Sequence, residues 1–203
     1  MTGIAMFSTP LFVLAPPELS SLCEEVTALL LAEREREPNR EGGDFGGIWH
    51  SAPDLAARSD AIWQRVAQEI VDGVSEAFRE FASSEGHEVG EVTLEVGVHM
   101  WGIVTPAGGY SALHGHGDAD WSAVFYTDVG DPGPSPSGCL AFVDPRRVPP
   151  MCAGVMLYPS TFTMRPETGM VVVFPSWLQH YAHPYDGTRP RVSVAANLRL
   201  ERR

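Results

Sequence analysis

The stretch "LHGHGDADW", residues 113–121, sets His114, His116 and Asp118 two apart, with Asp120 beyond them. On an extended strand, side chains two apart project from the same face. Read as a strand, the segment therefore lines up metal-capable groups on one surface. A metal site needs at least one more ligand from elsewhere in the chain, so the reading depends on what the remaining residues form.

From residue 91 the apolar period is two. In "EVTLEVGVHMW", Val92, Leu94, Val96, Val98 and Met100 alternate with mostly polar or small residues. Further short strands are predicted in "WSAVFYTDV", "GCLAFVD", "AGVMLYP", "MVVVFP" and "RVSVAANLRL", separated by Gly/Pro turns such as "GDPGPSPSG". Seven or eight closely spaced strands imply an antiparallel sandwich or barrel. Residues 1–90 read differently. Leu19, Leu22, Val26, Leu29 and Leu30 recur at helical spacing and fade in the charged, solvated "EREREPNREGG". A second helix, with Ser59 as its N-cap, carries the stripe Ile62, Val66, Ile70, Val74, Ala77, Phe78 and Phe81. Both helices are expected to pack on the outside of the sheet, giving a mainly β single domain of 203 residues with a helical part (1–90) and a β-core (91–203).

The formal net charge of −12 argues against binding a phosphate backbone or an anionic membrane surface. The three cysteines, Cys23, Cys139 and Cys152, have no paired spacing and read as reduced, packed thiols. The N-terminal apolar run lacks basic residues and is interrupted by Pro10, Pro16 and Pro17, unlike a signal peptide. A cytoplasmic protein is expected.

The missing ligand should come from a later strand, and "VVVFPSWLQHYAHP" supplies His180, with His183 three residues on. Eleven residues past His180, "RPRVSVAANL" places Arg191 and Ser193 on one strand face. A guanidinium inside a barrel is costly unless it meets an anion. Two histidine clusters followed by Arg-x-Ser therefore suggest an Fe(II) site with a dicarboxylate co-substrate. His50, His87 and His99 have no such company, and His183 reads as a neighbour of the site.

On these segments the chain resembles the 2-oxoglutarate-Fe(II) oxygenases of the small double-stranded β-helix (jelly-roll, cupin-like) type. The resemblance runs through "FSTPLF", "GIWHS", "WGIVTPAGGYSALHGH", "SAVFYTDV", "GCLAFVDPR", "GMVVVFPSWLQH" and "RVSVAAN". Ile103 replaces the Asn usual in that family's Trp-x-Asn-Val strand, and Gly117 replaces the usual Pro. Two ligand frames stay open. The resemblance favours His114, His116 and His180, with Asp118 then behind the ligands, orienting a histidine. The commoner two-His-one-carboxylate pattern favours His116, Asp118 and His180.

The resemblance implies Fe(II) as cofactor and 2-oxoglutarate as co-substrate, bound by Arg191, Ser193 and Tyr126. The expected reaction is hydroxylation of a small molecule or peptide side chain with O2, releasing succinate and CO2. No nucleic-acid or membrane partner is implied, and a homodimer is the one assembly entertained. The alternatives are a cupin-like metal-dependent dioxygenase or isomerase that does not use 2-oxoglutarate, and a non-catalytic β-sandwich binding protein.

Overall fold

The structure, a computed structural model, describes residues 8–38, 46–87, 94–146, 151–152, 155–156 and 160–202. The described strands are β1 (Phe12–Leu14), β2 (Trp49–His50), β3 (Leu94–Thr105), β4 (Ser111–His114), β5 (Trp121–Asp128), β6 (Leu140–Val143), β7 (Met151–Cys152), β8 (Val155–Met156), β9 (Thr161–Met164), β10 (Val171–Pro175), β11 (His180–Ala182) and β12 (Arg191–Arg202). Two antiparallel sheets dominate. A six-stranded sheet runs β1-β10-β5-β12-β3-β2, and a four-stranded sheet runs β4-β11-β6-β9. This is the double-stranded β-helix expected from the sequence.

The helices α1 (Pro17–Ser20), α2 (Cys23–Arg36) and α3 (Ala61–Ser84) supply the layer outside the larger sheet. The predicted stripe of α3 is the buried one: Val66, Ile70, Val74 and Ala77 pack in one core with Val26, Leu30, Met100, Phe125 and Val194. Sheet alternation then assigns the other face. On β12, Val192, Val194, Ala196 and Leu198 join that core, while Arg191, Ser193, Ala195 and Asn197 face a cavity between the sheets. Strand β10 is buried on both faces, with Val171 and Val173 against the helices and Val172 and Phe174 between the sheets. Its unbroken apolar run follows from that double coverage.

Several sequence expectations need correcting. The first helix is two, broken at Ser21–Leu22. The N-cap of α3 is Asp60 rather than Ser59, and it makes no side-chain cap bond. Glu33 of the charged run is buried and bonded to Arg58 at 2.7 Å, so that run is only partly solvated. The N-terminal part also contributes both edge strands, β1 and β2, of the larger sheet. Strands β1, β2, β4, β9 and β11 are two to four residues long, too short to show a period. Cys23 and Cys139 are buried and free, as expected. Val92 and residues 39–45 lie outside the described residues, and so does the side chain of Cys152.

Gly102 of β3 is where helix and sheet come closest. A Cβ placed there would stand 2.2 Å from Leu30 Cδ2. Leu30 is fully buried, so it has little room to yield. Gly102→Val should therefore cost about 1–3 kcal/mol by overpacking. Leu30→Ala should cost about 2–5 kcal/mol by leaving a cavity. The two share one volume, so urea unfolding should show the double variant losing less than the sum.

Candidate functional site

The cavity between the sheets has a volume of about 560 Å3 and is lined mainly by apolar residues, among them Trp101, Ile103, Val124, Leu140 and Phe174. At one end His114 and His180 stand directly opposite each other on the β4–β11 pair, with ring centroids 4.3 Å apart. His116 closes the group, 5.0 Å from His114 and 5.4 Å from His180 by ring centroid. One ligand atom from each of the three lies within 4.8 Å of the others.

The strand stops at His114, and His116 comes from the loop beyond Gly115. Its backbone N–H donates to Ser176 O at 2.8 Å, which seats the loop against the turn after β10. The predicted alternation of His114, His116 and Asp118 along one strand therefore does not occur. Asp118 sits exposed in the following turn, outside the cluster, and reaches His116 only as a charge that raises its pKa slightly against larger opposing effects.

Two of the rings have a fixed tautomer. His114 Nδ1 lies 2.7 Å from Ala112 O and His180 Nδ1 lies 2.9 Å from Leu178 O. A carbonyl only accepts, so Nδ1 carries the proton in each ring and Nε2 keeps its lone pair. This is the usual way a metal-binding histidine is oriented. Burial holds His180 down to about 3 and His116 down to about 4, with the neighbouring His114 pushing both the same way. These two rings are neutral at physiological pH, as metal ligands must be.

At the far end of the cavity lies Arg191, buried at 7% exposure. Its Nη1 donates to Gly138 O at 2.6 Å, its Nη2 lies 3.5 Å from Thr105 Oγ1, and its guanidinium sits 5.7 Å from the Tyr126 ring centre. Its Nε is buried without a partner, and no acidic side chain pairs with it among the described residues. A buried cation left this way is costly unless an anion from outside completes it. Ser193 and Tyr126 line the same cavity, and burial pushes the Tyr126 phenol up despite the Arg191 charge, so it stays protonated and able to donate.

The "GDPGPSPSG" turn supports the Arg191 end. Gly138 supplies the carbonyl, and Ser137 and Gly133 are tied to Asp186. His50, in the "GIWHS" segment but with no second histidine near it in sequence, lies in the cavity wall on β2, opposite Ile103. Burial pushes its pKa down, with the charge of His114 as a second cause. His87 and His99 are exposed, and His183 stacks on Tyr181 at 5.0 Å outside the cavity lining.

The depressed pKa values have a stability consequence. Unfolded, both rings take a proton near pH 6.5. Folded, they do so only near 4 and 3, so between these limits the unfolded chain binds more protons. The metal-free protein should therefore lose Tm as pH falls below about 6.5, the His180 ring adding up to about 1.4 kcal/mol per pH unit. His180→Gln should flatten that slope in thermal melts recorded from pH 7 to pH 5.

Comparison with known proteins agrees with this geometry. Residues 99–197 match the family described as "Putative 2OG-Fe(II) oxygenase". No curated protein matches the chain. Among solved structures, a Pseudomonas putida prolyl-4-hydroxylase is 21% identical, with 95% of this chain and 93% of that one covered at a TM-score of 0.60. HygX from Streptomyces hygroscopicus, solved with nickel and 2-oxoglutarate bound, is 16% identical over 94% of this chain and 82% of its own, at a TM-score of 0.62. SnoK, a non-heme alpha ketoglutarate dependent carbocyclase from nogalamycin biosynthesis, is 12% identical over 94% and 79%, at a TM-score of 0.64. The matched residues carry both the histidine cluster and Arg191, and over that core the chain is similar to the 2OG-Fe(II) oxygenases.

Proposed function

We propose that this oxygenase holds its metal on His114, His116 and His180, anchors 2-oxoglutarate through Arg191, Ser193 and Tyr126, and hydroxylates a small molecule or a peptide side chain. The observation that carries the reading is the buried Arg191, left without an acidic partner in the same cavity as the histidine cluster. Three imidazoles suit a divalent transition metal. Bound iron, with 2-oxoglutarate and O2, supplies the oxidation of a C–H bond with release of succinate and CO2.

The chain's own residues do the rest. Ala112 O and Leu178 O hold two ligand rings in the tautomer that presents Nε2. Arg191 offers the charge-assisted donors for a distal carboxylate, with the Ser193 and Tyr126 hydroxyls beside it. Trp101, Ile103 and Phe174 exclude water around the reacting end. Among the described residues no helix is long and apolar enough to cross a membrane. The buried free thiols Cys23 and Cys139 support a reducing, cytoplasmic setting.

Among the described residues no carboxylate joins the histidine cluster, which favours one second reading, a three-histidine dioxygenase that does not use 2-oxoglutarate. Oxygen uptake independent of 2-oxoglutarate would establish it, and the buried Arg191, without an acidic partner among the described residues and with its Nε unpaired, speaks against it.

Anaerobic addition of Fe(II) and 2-oxoglutarate should give a visible charge-transfer band, and its absence together with no succinate release under air would overturn the proposal. His114→Ala and His180→Ala should each abolish metal binding and turnover. Asp118→Ala should cost no more than about 10–100-fold, and a larger loss than for His114→Ala would restore the carboxylate frame. Arg191→Met should raise the 2-oxoglutarate requirement by roughly 10–100-fold while metal affinity, read by equilibrium dialysis, is retained.

A further inference from the structure

The register of the larger sheet sets four cavity residues in one row across it. His50 is paired with Ile103, Ile103 with Ser193, and Ser193 with Tyr126, and all of them line the cavity. At about 4.8 Å per strand, His50 stands roughly 10 Å from Ser193, at the outer end of the row. Ser193 and Tyr126, at the inner end, are buried, whereas His50 and Ile103 are half-buried. Strand β2, which carries His50, is an edge of the larger sheet, and β4, which carries His114, is an edge of the smaller one. These two edges face each other: both histidines line the cavity, and the charge of His114 acts on His50. None of the described lining residues comes from the other two edges, β1 and β9. The cavity therefore opens between β2 and β4, with a proposed metal ligand on one lip and His50 on the other.

The lip around His50 has a definite chemical character. Ile48 and Pro53 flank it, Trp101 and Ile103 continue the wall inward, and Ser111 lies on β4. The hydroxyl of Ser51 is already spent on the backbone, donating to Ala52 O at 2.9 Å and accepting from the Gly102 N–H at 2.8 Å. Among the described lining residues only Arg191 carries a fixed charge, and it stands at the buried end. Asp54, just beyond Pro53, is paired with Arg58 at 3.0 Å, and Asp118 is exposed and outside the lining. A charged group entering here would lose its hydration and meet no counter-ion in the wall. An apolar group would gain by leaving water, and imidazole, which both donates and accepts, can bond a hydroxyl or an amide attached to it.

We propose that the substrate enters between β2 and β4 as an uncharged apolar group bearing a hydroxyl or an amide, and that His50 positions it by hydrogen bonding to that polar group. This rests on the oxygenase reading of the cavity and adds the chemical class of the substrate to it. The apolar part then lies against Trp101 and Ile103, and the bond to His50 fixes which carbon faces the histidine cluster. His50 determines specificity in this arrangement, since it touches the substrate and is set across the row from the co-substrate anchors.

The test uses the full-length protein loaded with Mn(II) and 2-oxoglutarate, and four ligands that share one ring: cyclohexylmethanol, cyclohexanecarboxamide, cyclohexanecarboxylate and protonated cyclohexylmethylamine. Binding is titrated by the broadening of the ring-proton resonances by Mn(II), with the Zn(II)-loaded protein as diamagnetic control. The alcohol and the carboxamide should be broadened, and the carboxylate and the ammonium should bind about 10-fold more weakly or worse. His50→Phe, which keeps a flat ring and removes its polar atoms, should weaken the alcohol and the carboxamide about 5–10-fold. His50→Gln, which restores a donor and an acceptor, should recover most of that loss. Affinity for Mn(II) and for 2-oxoglutarate should be the same in wild type and both variants. Absence of binding by the alcohol and the carboxamide, or binding of either charged ligand as tightly as these, would overturn the substrate class. Unchanged affinities in His50→Phe would overturn the role of His50. So would a matching loss of Mn(II) or 2-oxoglutarate, which would make His50 a brace for the site. Failure of the wild-type protein to bind Mn(II) and 2-oxoglutarate would instead remove the oxygenase reading on which the inference stands.

Discussion

Strand β12 is paired along its whole length with β3 and over most of it with β5, and nearly everything in the molecule is positioned from it. Period-two alternation gives it one face for helices and one for the cavity. Val192, Val194, Ala196 and Leu198 bind the helical layer to the sheet. Arg191, Ser193, Ala195 and Asn197 form a row along the cavity floor. A one-residue slip in its pairing would exchange the two rows, putting a guanidinium under α2 and α3 and valines in the cavity. Burial of the helix-facing row thus enforces the register that chemistry on the opposite face requires.

The two ends of the cavity differ in electrostatic character. At the histidine end, burial suppresses protonation of His116 and His180. The Arg191 end carries a positive charge that the described side chains leave uncompensated. Set in a protein of net charge −12, this local reversal of sign attracts an anion, with low-dielectric walls to strengthen the attraction.

The residues that the sequence singled out and that the structure brings into one cavity are those whose side-chain type is costly to bury alone. His114, His116, His180, Arg191 and Ser193 could be picked out because imidazole and guanidinium are expensive to bury without a partner, and the resemblance added Tyr126. What escaped was set by cross-strand register. Ser122, Ser176 and Asn197 lie far apart in the chain and meet only because Phe174 pairs with Ser122 and Asn197 pairs with Ser122. His50 enters the cavity wall on a two-residue strand that has no period. Asp118 misled because alternation was extended past Gly115, where the chain leaves the strand. The α3 stripe was legible over its full length, whereas the break between α1 and α2 falls within an apolar run that fits either one helix or two.

The pairing of His114 with His180 also joins two strands of unequal security. Strand β11 is flanked on both sides, but β4 is an edge strand held to it at only two registered positions, with an irregularity between them. An ion bound on the proposed histidines would rivet this edge shut, adding its binding free energy to the fold. The empty protein keeps β4 by a few backbone bonds, and an exposed, loosely held edge is where proteases and neighbouring chains take hold.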